Sequence, residues 1–147
     1  MKPEIVIPQQ VCFILDRIKE GGFEAYIVGG CVRDSLLGIE PCDWDITTSA
    51  EPDDIKKIFE KTINTGIKHG TVTVLYKDNC YEVTTFRIDG LYEDNRRPRE
   101  VYFTSSLNED LGRRDFTINA MAYSPESGVI DYFNGICDLG NRTIRTV

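Results

Sequence analysis

The stretch VGGCVRDSLLGIEPCDWDITTSA, residues 28–50, decides the fold that is predicted for this chain. An apolar run leads into it, so residues 25–30 are predicted to form a short buried strand that ends in a glycine turn. Residues 31–37 have the composition of a short helix that ends at Gly38. The β-rich run at 44–48 predicts a second strand. A strand, a glycine turn, a helix and a further strand in this order indicate an α/β architecture.

The alternation of helices and strands continues along the rest of the chain. Apolar residues at helical spacing predict a helix over 8–20, and early acidic residues with a proline predict a helix that begins in 51–61. The remaining predicted elements are a hairpin at 70–86 that turns at 77–79, a polar and mobile loop at 87–101, a helical segment at 107–120 and a last hairpin at 120–133. The predicted fold class is therefore an α/β domain with a small mixed sheet.

Length and composition fit one globular domain over residues 1–147. The hydrophobic fraction is 41%, and a chain of this length buries about two-thirds of its unfolded surface. No apolar run approaches the roughly 20 residues of a membrane span, and the N-terminus has no signal-peptide pattern. The five cysteines are scattered without a C-x-x-C motif. Their spacing argues against a disulfide framework or a zinc site and predicts reduced thiols in the cytoplasm.

The net charge of −7 is unusual for a nucleic-acid-binding protein, which normally presents a basic face. The arginines are nevertheless clustered at 96–99 and at 113–114, so an acidic average can hide a local basic site. The charge therefore predicts only that this chain by itself does not hold a long nucleic acid tightly.

Two carboxylates, Asp43 and Asp45, lie two positions apart at the start of the second predicted strand. Residues i and i+2 of a strand point to the same face, so the acids project side by side while Trp44 turns toward the core. Adjacent carboxylates raise each other's pKa unless a cation lies between them. Magnesium, which binds carboxylates, water and phosphates together, is the natural cation. A lone D-x-D is more often a solvated strand end, so the neighbouring residues must decide.

Gly29 and Gly30 stand between the first strand and the helix. Without Cβ atoms they let the backbone approach a ligand closely, and the helix start offers N–H groups and a positive dipole end to a phosphate. A plain strand-to-helix turn is the alternative. Arg33 lies in the first turn of that helix, where a cation opposes the dipole unless it meets an anion. The glycine pair, the arginine and the acid pair together predict a nucleotide site.

These residues closely resemble the signature of the class II tRNA nucleotidyltransferase and bacterial poly(A) polymerase family, within the DNA polymerase β-like superfamily. The pattern is G-G-x-V-R-D-x-L-L-G, followed by D-x-D and a threonine. Further similar segments are KHGTVTV (68–74), YEVTTFR (81–87), R-R-P (96–98) and DLGRRDFTINAMAY (110–123). The resemblance covers nearly the whole chain. It implies a nucleotidyltransferase head of the α+β type, with a small, mostly antiparallel mixed sheet flanked by helices.

The resemblance also implies roles for individual residues of this sequence. Asp43 and Asp45 match the metal-binding catalytic carboxylates, and Glu82 matches a third catalytic carboxylate, with a solvent-facing glutamate as the alternative. The implied nucleotide-binding residues are Gly29, Gly30, Arg33, Arg114, Asp115 and Asn119.

Four of the positions near these motifs have weaker or different expectations. Asp115 and Asn119 are four apart and share a predicted helix face, so they could make helix-surface contacts in place of nucleotide contacts. Arg113 is expected to be a surface charge. His69, the only histidine, is expected to be a turn residue or a hydrogen-bonding scaffold, and no step requires it as a base.

The reaction that the resemblance implies transfers NMP from CTP or ATP to the 3′-hydroxyl of tRNA and releases pyrophosphate. Two Mg²⁺ ions, with Mn²⁺ as a possible substitute, would serve it: one orients the attacking hydroxyl and the other binds the triphosphate. The implied partners are ATP, CTP and the tRNA 3′ end, with no membrane involved.

In the family, the head is followed by an E-D-x-x-R motif that reads the incoming base and by neck, body and tail regions that grip tRNA. None of these is recognisable in this sequence. We therefore expect residues 1–147 to be the catalytic head of a longer protein.

Several alternatives remain at this point. Within the family, the loop at 90–103 favours full CCA addition or A addition, and a poly(A) polymerase is the main alternative. Outside it, a D-x-D glycosyltransferase would leave the segments 29–34 and 113–120 unexplained. A non-catalytic nucleotide- or RNA-binding module is a third possibility, which intact carboxylates at Asp43, Asp45 and Glu82 disfavour.

Overall fold

The computed structural model describes residues 3–89 and 101–147, and in both ranges the chain is built from short helices and strands. The helices are α1 (Gln9–Glu20), α2 (Gly30–Leu36), α3 (Pro52–Ile58), α4 (Leu107–Gly112) and α5 (Gly135–Gly140). The strands are β1 (Ala25–Val28), β2 (Asp45–Thr48), β3 (Thr62–Gly66), β4 (Thr71–Tyr76), β5 (Asn79–Thr85), β6 (Arg87–Asp89), β7 (Val101–Phe103), β8 (Ala122–Ser124) and β9 (Gly128–Ile130). Short 3-10 turns lie at Ile67–His69 and Thr117–Asn119. No helix in the two described ranges is long and apolar enough to cross a membrane.

Seven strands form one sheet in the order β3-β4-β5-β2-β1-β8-β9. Neighbouring strands run antiparallel, except that β2 and β5 in the middle run parallel. The predicted mixed, mostly antiparallel sheet is thus confirmed. Because a parallel pair needs a long connection, α3, β3 and β4 lie between β2 and β5 in the chain. This connection brings the strand of the D-x-D pair beside the strand that carries Glu82.

Apolar side chains on the two faces of the sheet form two separate clusters. The buried residues of α1 are those predicted from its periodicity: Val11, Ile14, Leu15 and Ile18. They pack on one face, in a cluster that includes Ile27, Ile46 and Val83. The second cluster, around Phe86, contains Val28, Leu107, Leu111, Ala120 and Ala122. Alternation along a strand therefore sends Ile27 and Val28 to different clusters, and each fully buried aliphatic side chain contributes roughly 1.5–3 kcal/mol.

Helix boundaries follow local chemistry that the sequence already shows. Pro52 occupies the first turn of α3, where its missing N–H costs no hydrogen bond. The side chain of Asp54 accepts from the N–H of Glu51 at 3.0 Å, and the Glu51 side chain accepts in return, which completes a capping box. After α1 the chain turns at Gly22, whose φ of +93° a side chain would strain. Both boundaries agree with the predictions.

The predicted hairpin at 70–86 is confirmed as β4 and β5. Lys77 and Asp78 connect the strands with φ values of 47° and 63°, the positive values that a tight two-residue hairpin turn needs. The last predicted hairpin is also present, since β8 pairs antiparallel with β9.

The predicted loop at 87–101 is wrong at both of its ends. Arg87–Asp89 and Val101–Phe103 pair as the antiparallel strands β6 and β7. Tertiary packing explains this, because a Cβ on Gly70 would lie only 2.8 Å from the Phe103 ring. The ring therefore sits directly on the glycine backbone. Residues 90–100, the centre of the predicted mobile loop, lie outside the described residues.

The predicted helical segment at 107–120 is interrupted. Helix α4 ends at Gly112, and Phe116 has an extended backbone with φ −117° and ψ 151° before the 3-10 turn begins at Thr117. Phe116 also bridges to Thr146, a contact between residues distant in sequence that local periodicity cannot show. The strand β3 and the helix α5 were not predicted, because each is too short to show a clear hydrophobic period.

Helix α5 packs against the 3-10 turn through a glycine. A Cβ on Gly135 would lie 2.3 Å from the carbonyl oxygen of Thr117, while Thr117 Oγ1 donates to Asp138 Oδ2 at 2.6 Å. We predict that Gly135→Ala lowers the free energy of unfolding by about 2 kcal/mol, because the added methyl group forces the helix away from rigid backbone. Chemical denaturation of the two proteins measures this change.

Gly140→Ala is the matched control for this substitution. Gly140 ends the same helix, and a Cβ there would meet open space. The free energy of unfolding should change by less than about 0.5 kcal/mol. Equal destabilisation by the two substitutions would show that the close contact at Gly135 does not limit packing.

Candidate active site

Three carboxylates lie together at the middle of the sheet. Ile46 of β2 pairs with Val83 of β5, and both side chains point into the α1 core. Asp45 and Glu82, each one residue earlier, therefore lie side by side on the opposite face. Asp43 precedes β2 and is exposed. All three acids line one pocket of about 640 Å³.

Trp44 lies between Asp43 and Asp45 in the sequence, and its predicted position in the core is only part of what the structure shows. Its ring is half-buried and packs against the α1 cluster, as predicted, but it also lines the pocket. The wall further includes Thr73 of β4 and Asn79 of β5. The pocket therefore extends from the carboxylates along β5 toward the tip of the β4–β5 hairpin.

The pKa of Asp45 is raised above its ordinary value. Although the residue as a whole is exposed, burial of its carboxyl group is the largest cause, followed by the negative charges of Glu82 and Asp43. Arg114 acts in the opposite direction and lowers this pKa. Without a cation, the three acids repel one another, so the pocket favours a bound positive charge.

The glycine turn places backbone atoms next to the guanidinium of Arg114. Gly29 has a φ of +81°, and its N–H donates to the carbonyl oxygen of Met121 at 3.2 Å. A Cβ at this position would lie 3.7 Å from Nη1 of Arg114. A residue with a side chain would be strained at this positive φ, although its Cβ would make only an ordinary van der Waals contact with the guanidinium. The glycine turn therefore places backbone and guanidinium close together.

Arg33 bridges α2 to the 3-10 turn at Thr117–Asn119. Its Nη1 donates to Asn119 Oδ1 at 2.7 Å, and its Nε donates to Asp34 Oδ1 at 2.9 Å. The guanidinium lies next to Gly30, where a Cβ would be 3.4 Å from Nη2. The structure thus brings together the predicted residues Gly30, Arg33 and Asn119.

Asp115 and Asn119 interact, but not on a helix face as predicted. Asp115 lies in the irregular segment after α4, and Asn119 ends the 3-10 turn. Asn119 Nδ2 donates to Asp115 Oδ1 at 3.2 Å, and this hydrogen bond is the largest cause that lowers the pKa of Asp115. The pair fixes the amide of Asn119, which in turn accepts from Arg33.

Arg114 is mostly buried, and one of its guanidinium donors makes no hydrogen bond to the described residues. Burial is the main cause that lowers its pKa, while the nearby charges of Asp110 and Asp45 raise it. Its Nη2 donates to Asp110 Oδ2 at 3.3 Å. Its buried Nε has no hydrogen-bond partner within residues 3–89 and 101–147. A buried donor without a partner is costly, so an incoming anion would have a donor ready to bind.

The residue that organises this arginine was missed by sequence reasoning. Asp110 is fully buried, and its carboxylate accepts from Thr47 Oγ1 at 3.1 Å and from the N–H of Arg87 at 3.0 Å. It also accepts from Arg113 Nε and Arg114 Nη2, each at 3.3 Å. The spacing in the sequence could have indicated this role, because Asp110 lies three residues before Arg113 and four before Arg114, at distances that allow contact along a helix.

Two further expectations can be compared with the structure. Arg113 is not a free surface charge, because its mostly buried side chain forms an ion pair with Asp110 at 3.3 Å. His69 lies in the 3-10 turn at Ile67–His69, and its carbonyl oxygen accepts from Arg87 Nη1 at 3.1 Å. His69 therefore acts as scaffold through its backbone.

The residues of the pocket fit a hard divalent cation. Asp43, Asp45 and Glu82 offer only oxygen acceptors, and burial together with the charges of Glu82 and Asp43 raises the pKa of Asp45. Within the described part of the chain, no group of three or more His, Cys, Asp or Glu residues is arranged so that it could hold a metal ion. A cation bound here would therefore complete its shell with water or phosphate oxygens, as Mg²⁺ commonly does.

Comparisons with known proteins agree on one family. Residues 25–145 match the family model described as "Poly A polymerase head domain". A CCA-adding enzyme of Lactobacillus gasseri is 58% identical over 134 residues, which cover 91% of this chain and 34% of that protein. A CCA-adding enzyme of Enterococcus faecalis is 57% identical over 134 residues, covering 91% of this chain and 33% of that protein.

Solved structures give the same result. The Bacillus stearothermophilus CCA-adding enzyme in complex with CTP has a TM-score of 0.86 and 48% identity, covering 96% of this chain and 34% of that one. The Thermotoga maritima CCA-adding enzyme in complex with a tRNA has a TM-score of 0.72 and 29% identity, covering 97% of this chain and 34% of that one. The chain spans about a third of the length of the curated relatives it matches.

Asp110 should contribute strongly to the stability of the site. We predict that Asp110→Asn lowers the free energy of unfolding by about 3 kcal/mol, because Arg113 and Arg114 lose a buried carboxylate partner while the shape stays nearly the same. Chemical denaturation monitored by circular dichroism measures the change.

Glu109→Gln provides the control on the neighbouring, exposed position of α4. Thr104 Oγ1 donates to Glu109 Oε1 at 3.2 Å, and a glutamine keeps that acceptor. The expected change is below about 0.5 kcal/mol. If both substitutions have equally small effects, Asp110 is not the organising residue described above.

Proposed function

Because the chain belongs to the poly A polymerase head domain family, we propose that it is the catalytic head of a tRNA nucleotidyltransferase. The proposed reaction transfers a nucleoside monophosphate from CTP or ATP to the 3′-hydroxyl of tRNA and releases pyrophosphate. Relatives named as CCA-adding enzymes, over 50% identical, support addition of C and A residues. Related structures in complex with CTP and with a tRNA support these partners.

The observation that carries the proposal is the position of three carboxylates near a glycine turn that lies against two guanidinium groups. Asp43, Asp45 and Glu82 line one pocket, and the charge of Asp45 interacts with that of Arg114. Arg114 in turn lies against the backbone of Gly29. Nucleotidyl transfer requires carboxylates that bind a cation and, next to them, hydrogen-bond donors that bind a phosphate.

We propose that Asp43 and Asp45 hold Mg²⁺, or Mn²⁺ in its place, and that Glu82 completes the catalytic carboxylates around two such ions. When bound, the ions lower the pKa of the attacking hydroxyl and offset the charge of the leaving pyrophosphate. Asp45 and Glu82 lie on a strand pair in the middle of the sheet, and Asp43 lies two residues before Asp45, so the backbone fixes the spacing of Asp45 and Glu82 before substrate arrives.

The arginines and the glycine turn are proposed to bind the triphosphate. The guanidinium of Arg114 lies next to Gly29 and that of Arg33 lies next to Gly30, and Nε of Arg114 offers a buried donor that has no partner among the described residues. Asn119, which is held by Asp115, fixes the position of Arg33, and both residues are proposed to contact the nucleotide sugar, as the family resemblance implies. The described pocket lining contains none of these residues. We infer that the triphosphate lies on the α2 side of the carboxylates and that the attacking hydroxyl approaches from the pocket.

The larger context of this head is also a proposal. We infer a longer protein, since the relatives extend to about three times this chain, and we infer that residues 1–147 form its head domain. The free cysteines support a reducing, cytoplasmic location.

Poly(A) addition to RNA is the second candidate function, which the name of the matching family model favours. Extension of a tRNA lacking its terminal CCA, compared with extension of a generic RNA in the full-length protein, distinguishes the two activities.

The carboxylate pair should be needed for metal-dependent nucleotide binding and not for folding. We predict that Asp43→Ala and Asp45→Asn each lower the Mn²⁺-dependent affinity for a non-hydrolysable NTP by at least about tenfold, equivalent to 1.4 kcal/mol. The free energy of unfolding in EDTA should stay the same or rise by up to about 1 kcal/mol, since each change removes charge repulsion. Calorimetric titration and denaturation measure the two quantities.

Asp16→Ala is the control, because Asp16 is an exposed acid on α1 and does not line the carboxylate pocket. It should bind metal and nucleotide like the unchanged chain. Equal metal-dependent binding in all four proteins would contradict the proposed metal site.

Residues 1–147 by themselves should bind all four NTPs with similar, weak affinity. The proposed contacts address phosphates, metal and sugar, which the four nucleotides share, and base choice needs hydrogen bonds that a wrong base leaves unpaired. Equilibrium binding of ATP, CTP, GTP and UTP tests this. A preference of this chain for ATP or CTP above about tenfold would place the selecting groups within these residues.

A further inference from the structure

Thr73 lies in one row with two of the proposed catalytic carboxylates. It stands on β4, directly opposite Glu82 of β5. On the other side of β5, Asp45 lies next to Glu82, because the residues that follow them, Ile46 and Val83, are paired. Paired residues on neighbouring strands project from the same face of a sheet. Thr73, Glu82 and Asp45 therefore form a row across three strands, on the face opposite α1.

The row brings a hydroxyl group into the carboxylate pocket. Thr73 belongs to the segment KHGTVTV (68–74), whose threonines have no role among the proposed metal and phosphate contacts. It lines the pocket and is only 6% exposed. The Cβ atoms of directly opposite residues in an antiparallel pair lie about 4.5–5.5 Å apart. The hydroxyl of Thr73 is thus one strand spacing away from the carboxylate of Glu82.

The hydroxyl of Thr73 keeps hydrogen-bonding capacity for a ligand. Its Oγ1 makes a hydrogen bond with Oγ1 of Thr65 on β3 at 2.8 Å, and either oxygen can be the donor. A hydroxyl group has one donor and two acceptor positions, so this bond does not use all of them. If Thr73 donates to Thr65, its lone pairs can accept from a ligand. If Thr65 donates, the O–H of Thr73 can donate to a ligand.

Two other neutral polar side chains of the pocket are already engaged with α1. Asn79 Nδ2 donates to Gln10 Oε1 at 3.0 Å, and the hydroxyl of Tyr81 donates to the same oxygen at 2.5 Å. Tyr81 also lies one residue before Glu82 on β5, so it points to the other face of the sheet. Among the described residues that line the pocket, Thr73 therefore supplies the hydroxyl on the carboxylate face.

We propose that Thr73 is a specificity-determining residue that hydrogen-bonds the 2′-hydroxyl of the ribose whose 3′-hydroxyl attacks. The inference rests on the proposed function, in which Asp45 and Glu82 serve the metal ions that orient the 3′-hydroxyl. A ribose carries its 2′- and 3′-hydroxyl groups on neighbouring carbon atoms. A 3′-hydroxyl at the carboxylates therefore places the 2′-hydroxyl within reach of a group one strand away. Because only RNA has a 2′-hydroxyl, this contact selects an RNA end over a DNA end.

The first test compares two tRNA substrates that lack the terminal CCA and end in a ribose or in a 2′-deoxyribose. The ratio of their kcat/KM values for nucleotide addition is measured with the full-length protein that contains this head. We expect Thr73→Val to lower the ribose preference about three- to tenfold, the effect of losing one neutral hydrogen bond. The loss should fall on the ribose substrate, while the deoxyribose substrate reacts as before. An unchanged ratio would overturn the proposal.

Two matched variants separate the hydroxyl from its structural surroundings. Thr73→Ser keeps the hydroxyl and should keep the ribose preference. Thr71→Val removes a hydroxyl from the same face of β4, where Thr71 Oγ1 pairs with Thr84 Oγ1 at 3.0 Å outside the pocket. It should leave the preference unchanged. An equal loss of preference in Thr71→Val and Thr73→Val would assign the effect to sheet packing and overturn the proposal.

The fold should tolerate Thr73→Val. Valine is β-branched like threonine and suits a strand. The hydroxyl of Thr65 loses its partner, but Thr65 is exposed and can bond to water. Chemical denaturation of the variant confirms that a change in preference does not come from unfolding.

The second test measures binding without nucleotide transfer. Acceptor-stem RNA hairpins that end in a ribose or in a 2′-deoxyribose are titrated with the same proteins, in the presence of Mn²⁺ and a non-hydrolysable NTP, and fluorescence anisotropy reports the affinity. If no protein transfers nucleotides, the proposed function fails, and this test decides the role of Thr73. A ribose preference that Thr73→Val abolishes and Thr73→Ser retains would then support the contact, and equal affinities for the two ends would overturn it. If transfer occurs, the kcat/KM ratio decides.

Discussion

The buried carboxylate of Asp110 is the interaction on which the arrangement of the site depends. It accepts hydrogen bonds from Thr47 on β2 and from the backbone of Arg87 on β6, so one side chain joins helix α4 to two strands. A fully buried charge is stable only with such partners. The carboxylate of Asp110 also accepts hydrogen bonds from the side chains of Arg113 and Arg114. The guanidinium of Arg114 is thereby fixed against the glycine turn.

The site combines two unfavourable arrangements that only a ligand would relieve. Burial and the charges of Glu82 and Asp43 raise the pKa of Asp45 in their shared pocket, while Arg114 keeps a buried donor without a partner among the described residues. A folded protein tolerates such strain because the hydrophobic clusters on both sheet faces supply the stability. The repelling acids and the unsatisfied arginine lie close enough for the charges of Asp45 and Arg114 to interact, so a cation and a phosphate bound together would neutralise both.

Much of the fold was predictable from local patterns, and the errors have a common cause. The helix at Gln9–Glu20, the hairpin of β4 and β5 and the mixed sheet follow from periodicity and turn residues. Strands β6 and β7 were missed because they are three residues long and are held by contacts with Gly70 and Asp110. The segment after Gly112 was mistaken for helix because its extended conformation at Phe116 depends on a bridge to Thr146. Such contacts join residues far apart in the sequence, so a local window cannot show them.

Local sequence is sufficient to identify the family, because the spacing of Gly29, Gly30, Arg33, the D-x-D pair and Glu82 matches its motifs, and these are the residues proposed to carry the chemistry. How they meet depends on the tertiary structure. The parallel pairing of β2 with β5 puts Glu82 beside Asp45, and the burial of Asp110 aims Arg114 at the turn. The physical reason is that strand register and the satisfaction of a buried charge are set by the whole chain, whereas a glycine turn and a strand end are set by their immediate neighbours.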